Sequence, residues 1–278
     1  MNKSPNEFDP KDLMSKSGNT LHSKTVKRLR DLGWSVLVSP YYPDNATDVS
    51  REVDIIAEQH SLVTINGGSL SSSTYESVAI RLYIECKHIN SNIVFWFDEK
   101  DSQQAWKLIG SQIGDANPQQ NTFCRKHHYQ NGNHVAKLFE TDKSSKLEKE
   151  PMYTAINQSL SSMEYYRRQP NLFPSAEHVL HRLNYPIIVC DDFSKFHAVN
   201  MDNPEKIVDI PEPFQLEVNY AYRTHTNESA QEYHLIDVVA LDGLESLLEK
   251  VMTDDFRALQ NTMENTARRS ENNRLFNS

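Results

Sequence analysis

The sequence has no run approaching the roughly eighteen apolar residues of a helical membrane span, which excludes that class of membrane protein. Residues 1–19, MNKSPNEFDPKDLMSKSGN, contain no apolar core of the kind a secretory signal needs. Cysteine is scarce as well: Cys86, Cys124 and Cys190 are the three present, in unpatterned positions. A disulfide framework is therefore not expected, and a reducing, cytoplasmic setting is. Eight glycines and twelve prolines are too few for a collagen-like or linker chain. Positive charge is also short, with 29 Lys+Arg against 38 Asp+Glu and a net charge of −9 at pH 7. Proteins that coat nucleic acid carry a basic surface. The balance disfavours a non-specific coating protein, though not a local contact with phosphate.

What is present is a 278-residue chain that is 38% hydrophobic, enough for the core of one large domain. Residues 1–17 are polar and aperiodic, as in a mobile tail. Over 19–32, Leu21, Val26, Leu29 and Leu32 fall at helical spacing, and Gly33 is placed to end the helix. Three strands are predicted next, over 34–39, 51–57 with an extension toward Ile65, and 77–87. The turn clusters PYYPDN and NGGSLSSST separate them as an antiparallel meander. Residues 100–150 are charged and rich in Gln and Asn, and are predicted as an inserted, partly helical segment. A helix is predicted over 152–168 from the stripe Ile156, Leu160 and Met163, followed by a strand over 185–190. Further strands are expected over 196–200, 216–222 and 234–240. A last helix begins near Asp242, with the stripe Leu244, Leu247, Leu248, Val251 and Leu259. The expected organisation is a single domain over 18–250 with an insertion at 100–150, then a C-terminal helix and tail over 251–278.

Three charged residues interrupt apolar strands: Asp54 in REVDIIA, and Glu85 and Lys87 in YIECKHI. Strand side chains alternate, so Glu85 and Lys87 share a face while Cys86 points away, and Glu52 and Asp54 likewise share a face. If the two strands are neighbours, carboxylates from both converge beside a lysine. Burying such groups is costly unless they pair or bind a metal. Two carboxylates and a backbone carbonyl make a hard oxygen set suited to Mg²⁺ or Mn²⁺. Such an ion polarises a phosphoryl oxygen and lowers the pKa of a bound water, and a nearby lysine can orient that water or offset charge. This is chemistry for phosphodiester hydrolysis.

Asp54…Glu85-Cys86-Lys87 resembles the PD-(D/E)xK motif of the restriction-endonuclease-like nucleases. VDIIA followed by IECK is similar to the branch containing Mrr-type restriction enzymes and archaeal Holliday-junction resolvases. The resemblance covers residues 18–190. It implies an α/β fold with a restriction-endonuclease-like core (α-β-β-β-α-β, a mixed central sheet flanked by helices), a helical insertion and a C-terminal strand–helix extension. It implies a metal-dependent endonuclease acting on nucleic acid, DNA favoured, in restriction or anti-phage defence. Asp54 and Glu85 would be metal ligands, the Cys86 backbone carbonyl a third, and Lys87 the catalytic lysine. Val53 stands where the motif has proline. The first helix offers only Asp31 where many members place a Glu, so Glu52 is the candidate for an extra carboxylate ligand. Some relatives use a Gln in the later helix, for which Gln158 and Gln169 are candidates. Many such nucleases dimerise, so a homodimer or a partner subunit is expected. The alternative is a catalytically inactive nuclease-like scaffold that serves as a DNA-binding or protein-interaction subunit.

Phosphate contacts are sought in basic runs. His22, Lys24, Lys27, Arg28 and Arg30 lie on the first helix, and Arg125, Lys126, His127, His128, His134 and Lys137 lie in the insertion. Tyr165-Tyr166-Arg167-Arg168 offers aromatic rings and guanidinium groups to a nucleic acid strand. The candidate nucleic-acid contacts are Lys24, Lys27, Arg28, Arg125, Lys126, Arg167 and Arg168. Cys124 with His127, His128 and His134 lacks the paired spacing of a structural zinc site, and that segment reads as a polar, His-rich surface.

Overall fold

The N-terminal stripe forms α1 (Asn19–Asp31), which buries Leu21, Val26 and Leu29. It ends at Gly33, whose φ of 83° is a conformation that a residue without a Cβ adopts freely. In this computed structural model the described residues are 18–44, 49–66, 73–114, 119, 122–142, 151–169, 172–173, 179–210, 212–224 and 228–263. The expected tail at 1–17 and the chain end beyond 263 lie outside them.

After α1 come β1 (Ser35–Val38), a separate two-stranded ribbon of β2 (Tyr41–Pro43) and β3 (Ser50–Glu52), β4 (Ile55–Asn66) and β5 (Ser73–Lys87). Then follow β6 (Ile93–Glu99), α2 (Ser102–Gln112), α3 (Thr122–Lys126), β7 (His134–Thr141), α4 (Pro151–Tyr166) and β8 (Val179–Cys190). The chain finishes with β9 (Phe196–Asn200), β10 (Asn203–Val208), β11 (Phe214–Arg223), β12 (Ser229–Ala240) and α5 (Leu244–Lys250). A π-helical turn (Val251–Asp255) continues α5 into helical residues 256–263.

Ten strands join in one mixed sheet, ordered β1-β4-β5-β8-β12-β11-β7-β6-β9-β10. The fold is therefore α/β with a large mixed sheet. β1, β4 and β5 pair antiparallel in sequence, and α4 precedes β8, which runs parallel to β5. Because β5 is paired on both edges, its side chains can reach partners only above or below the sheet. On one face α4 covers Ile56, Tyr83 and Ile188 with Met152, Ile156, Leu160 and Met163. On the other, α1, α2 and α5 cover Leu82, Ile84, Ile187 and Val189.

The segment 100–150 differs from its expected role as a partly helical insertion. It supplies α2 and α3 but also β7, which pairs antiparallel with β6 and parallel with β11. β2, β6 and β10 also fall outside the predicted strands, and the strand predicted over 51–57 divides into β3 and the start of β4. β10 is exposed along nearly its whole length, so its conformation comes from pairing with β9 rather than from an apolar pattern.

α4 is tied to β5 by polar contacts as well as packing. The Ser159 hydroxyl donates to the Tyr83 carbonyl at 3.1 Å. Arg81, fully buried, donates from Nη1 to the carbonyls of Tyr166 at 2.8 Å and Gln169 at 3.1 Å, and its Nε pairs with the equally buried Glu58. Glu58 is also met by His60 at 2.6 Å and Arg182 at 3.4 Å, whereas Glu58 is the carboxylate paired with Arg81. Removing Glu58 therefore strands the Arg81 charge in the core, and Glu58→Ala is expected to lower the unfolding free energy by about 3–5 kcal/mol in urea titrations. Adding Arg81→Ala should cost little more. Additive losses for the two substitutions would contradict this account.

Candidate functional site

Strand register sets the geometry. Ile55 pairs with Ile84, so one step outward Asp54 and Glu85 leave the ladder beside each other. Directly opposed residues of an antiparallel pair share a face. The Asp54 backbone N–H donates to Glu85 Oε1 at 3.2 Å, and the Cys86 N–H donates to Asp54 Oδ2 at 2.7 Å. Lys87 Nζ, on the same face as Glu85, donates to Glu85 Oε2 at 2.9 Å and to Gln158 Oε1 at 3.4 Å. Gln158 is held from two sides: its Nε2 donates to the Glu52 carbonyl at 3.0 Å, and the Tyr42 hydroxyl donates to its own carbonyl at 3.2 Å. Asp54, Glu85, Lys87 and Gln158 thus meet at the C-terminal end of β5.

The electrostatics of this end are tense. Glu85 is fully buried. Burial is the largest influence on its carboxyl. Lys87 opposes it, Asp54 reinforces it, and the net effect raises the pKa from 4.5 to about 8. For Lys87 burial acts downward, but Glu85 and Asp54 outweigh it and hold the ammonium above its ordinary pKa. Burial pushes the Cys86 thiol up, so this side chain stays protonated and is not a nucleophile.

Glu52 stands close by, yet its carboxylate is engaged by the hydroxyls of Ser39 and Tyr41, which lower its pKa. Gln169 contributes its carbonyl to Arg81 rather than its amide to Lys87. Gln158 was one of two candidates in the sequence. Tyr42 was not among them, since nothing local indicates that the β2–β3 ribbon folds against α4.

The basic candidates divide. Lys24, Lys27, Arg125 and Lys126 are exposed, with Lys27 paired to Asp31. α1 and α3 pack on the sheet face opposite α4, away from the face that Lys87 takes. Arg28 is turned inward, donating to the Leu241 carbonyl. Arg167 is not free to grip a strand: it forms a two-point ion pair with Glu232 at 3.0 and 3.1 Å and lies 2.7 Å from Glu164. Arg168 lies 3.9 Å from Glu164. Lys137 pairs with Asp98 and Glu217.

Two further polar clusters are present, one in the interior and one partly exposed. His127 and His128, expected on a polar surface, are buried. His128 bonds through Nδ1 to Asp255 and through Nε2 to Asp237 at 3.0 Å, and its N–H donates to Asp255 Oδ1 at 2.7 Å. Burial alone would lower the His128 pKa, but the two aspartates outweigh it and raise it to about 10. The result is a buried aspartate–imidazolium–aspartate bridge tying the 100–150 segment to β12 and the C-terminal helix. Its partners lie more than a hundred positions away in the chain, and no local pattern announces them. Cys124 is buried and His134 is exposed.

The other cluster joins Glu164, Glu232 and His234 around Arg167. Burial raises the Glu164 carboxyl to about 7 and lowers the His234 imidazole to about 4.

Comparisons with protein-family models, curated proteins and solved structures find no significant match. The site is therefore read from its own geometry.

The strain at Glu85 has a measurable consequence. Between pH 4.5 and about 8 the folded chain keeps a proton on Glu85 that the unfolded chain has released. Over this window the residue's contribution to stability falls as pH rises. Glu85→Gln keeps the shape and removes the titration. Relative to the parent chain it should gain about 3–4 kcal/mol between pH 5 and pH 8 in metal-free urea unfolding. A stability difference that does not change with pH would contradict the buried, uncompensated carboxyl.

Proposed function

We propose that this chain is a Mg²⁺- or Mn²⁺-dependent nuclease of the restriction-endonuclease-like type, hydrolysing phosphodiester bonds in DNA. The supporting observation is the convergence of Asp54, Glu85 and Lys87 at one strand end, with Gln158 against the lysine. The order of elements also favours it: α1, the meander β1–β4–β5, then α4 and the parallel strand β8.

The donor set fits a hard divalent ion. Two adjacent carboxylates share one ammonium, and the more buried of them cannot ionise comfortably without further positive charge. Their oxygens, with the Cys86 carbonyl, are donors that Mg²⁺ and Mn²⁺ accept. When bound, the ion would acidify a water and polarise a phosphoryl oxygen. The remaining work belongs to the chain. Asp54 and Glu85 would hold the ion. Lys87 orients the attacking water and offsets negative charge gathering on the phosphate. Gln158 keeps the ammonium aimed, and Tyr42 with the Glu52 carbonyl keeps Gln158 in place. Lys24 and Lys126 are exposed cations that would contact nucleic acid away from the cleaved phosphate, since they lie on elements packed against the opposite sheet face. A homodimer would allow both strands of a duplex to be cut, and restriction or anti-phage defence is the setting suggested by analogy of fold alone.

One observation favours the second reading, a binding scaffold without catalysis: Glu52 spends its carboxylate on Ser39 and Tyr41, which leaves two carboxylates at the site. Incubation with duplex DNA, single-stranded DNA and RNA in Mg²⁺ or Mn²⁺ separates the two. The nuclease reading expects cleavage that Asp54→Ala and Lys87→Ala each reduce by about 10²–10⁴-fold, and that Gln158→Ala reduces less. Cleavage that survives both substitutions, or is absent with both ions on every substrate, contradicts it.

A further inference from the structure

β8 and β12 pair only where Ile187–Cys190 meets Asp237–Ala240. Pro186, just upstream, has no N–H to extend the ladder. The strands part there and leave a cavity of about 220 Å³ whose lining includes Arg182, Asn184 and Pro186 from β8 and Glu232 and His234 from β12. The opening is stabilised by polar substitution for the missing ladder: the Asn184 N–H donates to Gln112 Oε1 of α2 at 2.6 Å.

His234 lines this cavity, is 2% exposed, and its Nε2 is buried without a hydrogen-bond partner. An orphaned buried ring nitrogen is costly and calls for an explanation. Glu232 Oε2 is 3.7 Å away, beyond hydrogen-bond reach. A ligand nitrogen of His234 and one carboxylate oxygen each from Glu232 and Glu164 all lie within 4.8 Å of one another. The guanidinium of Arg167 reaches both carboxylates and itself lines the cavity. Two acids facing one another around a displaceable cation, with an unused imidazole beside them, form a place where a metal ion can replace a side-chain charge.

We propose that His234, Glu232 and Glu164 form a site for a borderline divalent cation of the Zn²⁺ class, separate from the strand end of Asp54 and Glu85. One nitrogen and two carboxylate oxygens suit Zn²⁺, whereas Mg²⁺ takes oxygen donors and gives up water reluctantly. Water from the cavity can complete the shell. Arg167 swings into the cavity when the ion enters, so the ion and the guanidinium compete for the same carboxylates. Glu232 already accepts from Tyr222 and Arg167, but His234 Nε2 and both Glu164 oxygens have no hydrogen-bond partner. The ligand atoms of His127, His128 and Asp255 are instead hydrogen-bonded to one another, to Asp237 and to Tyr185, which makes that cluster the poorer host. A cation bound at the cavity would tie the end of α4 to β12, the same helix that presents Gln158 to Lys87.

The test is calorimetric titration of the full chain carrying Asp54→Asn and Glu85→Gln, which removes the proposed nuclease site from the measurement. Zn²⁺ is expected to bind with one equivalent and Mg²⁺ not at all. Added His234→Gln and Glu232→Gln should each weaken Zn²⁺ at least about tenfold, and Arg167→Gln should tighten it by removing the competitor. Co²⁺ should give a visible absorption band that His234→Gln abolishes. Glu232, the more exposed ligand, decides the matter if His234→Gln fails to fold. Absence of Zn²⁺ binding in this background, or affinity unchanged by Glu232→Gln, overturns the proposal. Either result leaves the cleavage assay, and therefore the nuclease reading, untouched.

Discussion

A strand paired on both edges and covered on both faces offers its charged residues no route to water, and β5 has two such residues on one face. Arg81 and Glu85 are both fully buried. Arg81 is answered by the carboxylate of Glu58 at Nε and by two carbonyls at the end of α4 at Nη1, which leaves only Nη2 without a partner. Glu85 is answered only in part, by Lys87 and one backbone N–H, while Asp54 adds a second negative charge beside it. The contrast between a largely satisfied buried charge and a strained one on the same strand separates framework from candidate site. Strongly shifted groups with a stated cause concentrate at places where chemistry is done.

The rest of the molecule positions this strand end. The β4–β5 register brings Asp54 beside Glu85, and α4 lies along β5 with Gln158 over Lys87 and its last turn over Arg81. One helix therefore serves both the structural ion pair and the proposed catalytic lysine. The β2–β3 ribbon braces that helix through Tyr42 and through the Tyr41 carbonyl, which accepts the Tyr166 hydroxyl at 2.6 Å. On the far side of the sheet the aspartate–histidine–aspartate bridge fastens the C-terminal helix and β12 to the segment between β6 and β7. Net charge looks different in this light. Part of the acidic surplus is interior, held by buried cations or waiting for one.

Local pattern was enough for α1, the meander, α4, β8 and the final helix, because each presents an apolar stripe at its own period. It was also enough to put Glu85 and Lys87 on one face and Cys86 on the other, since alternation along a strand needs no tertiary knowledge. It failed where conformation comes from distant partners. β10 is nearly all exposed, β2 is three residues long, and His127 and His128 look like surface residues until Asp237 and Asp255 are placed beside them. Arg167 failed for the same reason: a helix-end arginine in sequence is an interior counter-ion once β12 brings Glu232 to it. The segment 100–150 looked like an insertion because its apolar residues are few and scattered, yet β7 completes the sheet.

The proposed function requires the end of β5 to bind a metal ion and not to be a closed salt bridge. Anomalous diffraction from crystals soaked in Mn²⁺ tests it most directly. A peak is expected at coordinating distance, about 2.2 Å, from carboxylate oxygens of both Asp54 and Glu85, with Lys87 displaced from Glu85 toward Gln158. A map with no anomalous signal between those carboxylates, and the Lys87–Glu85 contact intact at saturating Mn²⁺, would contradict it.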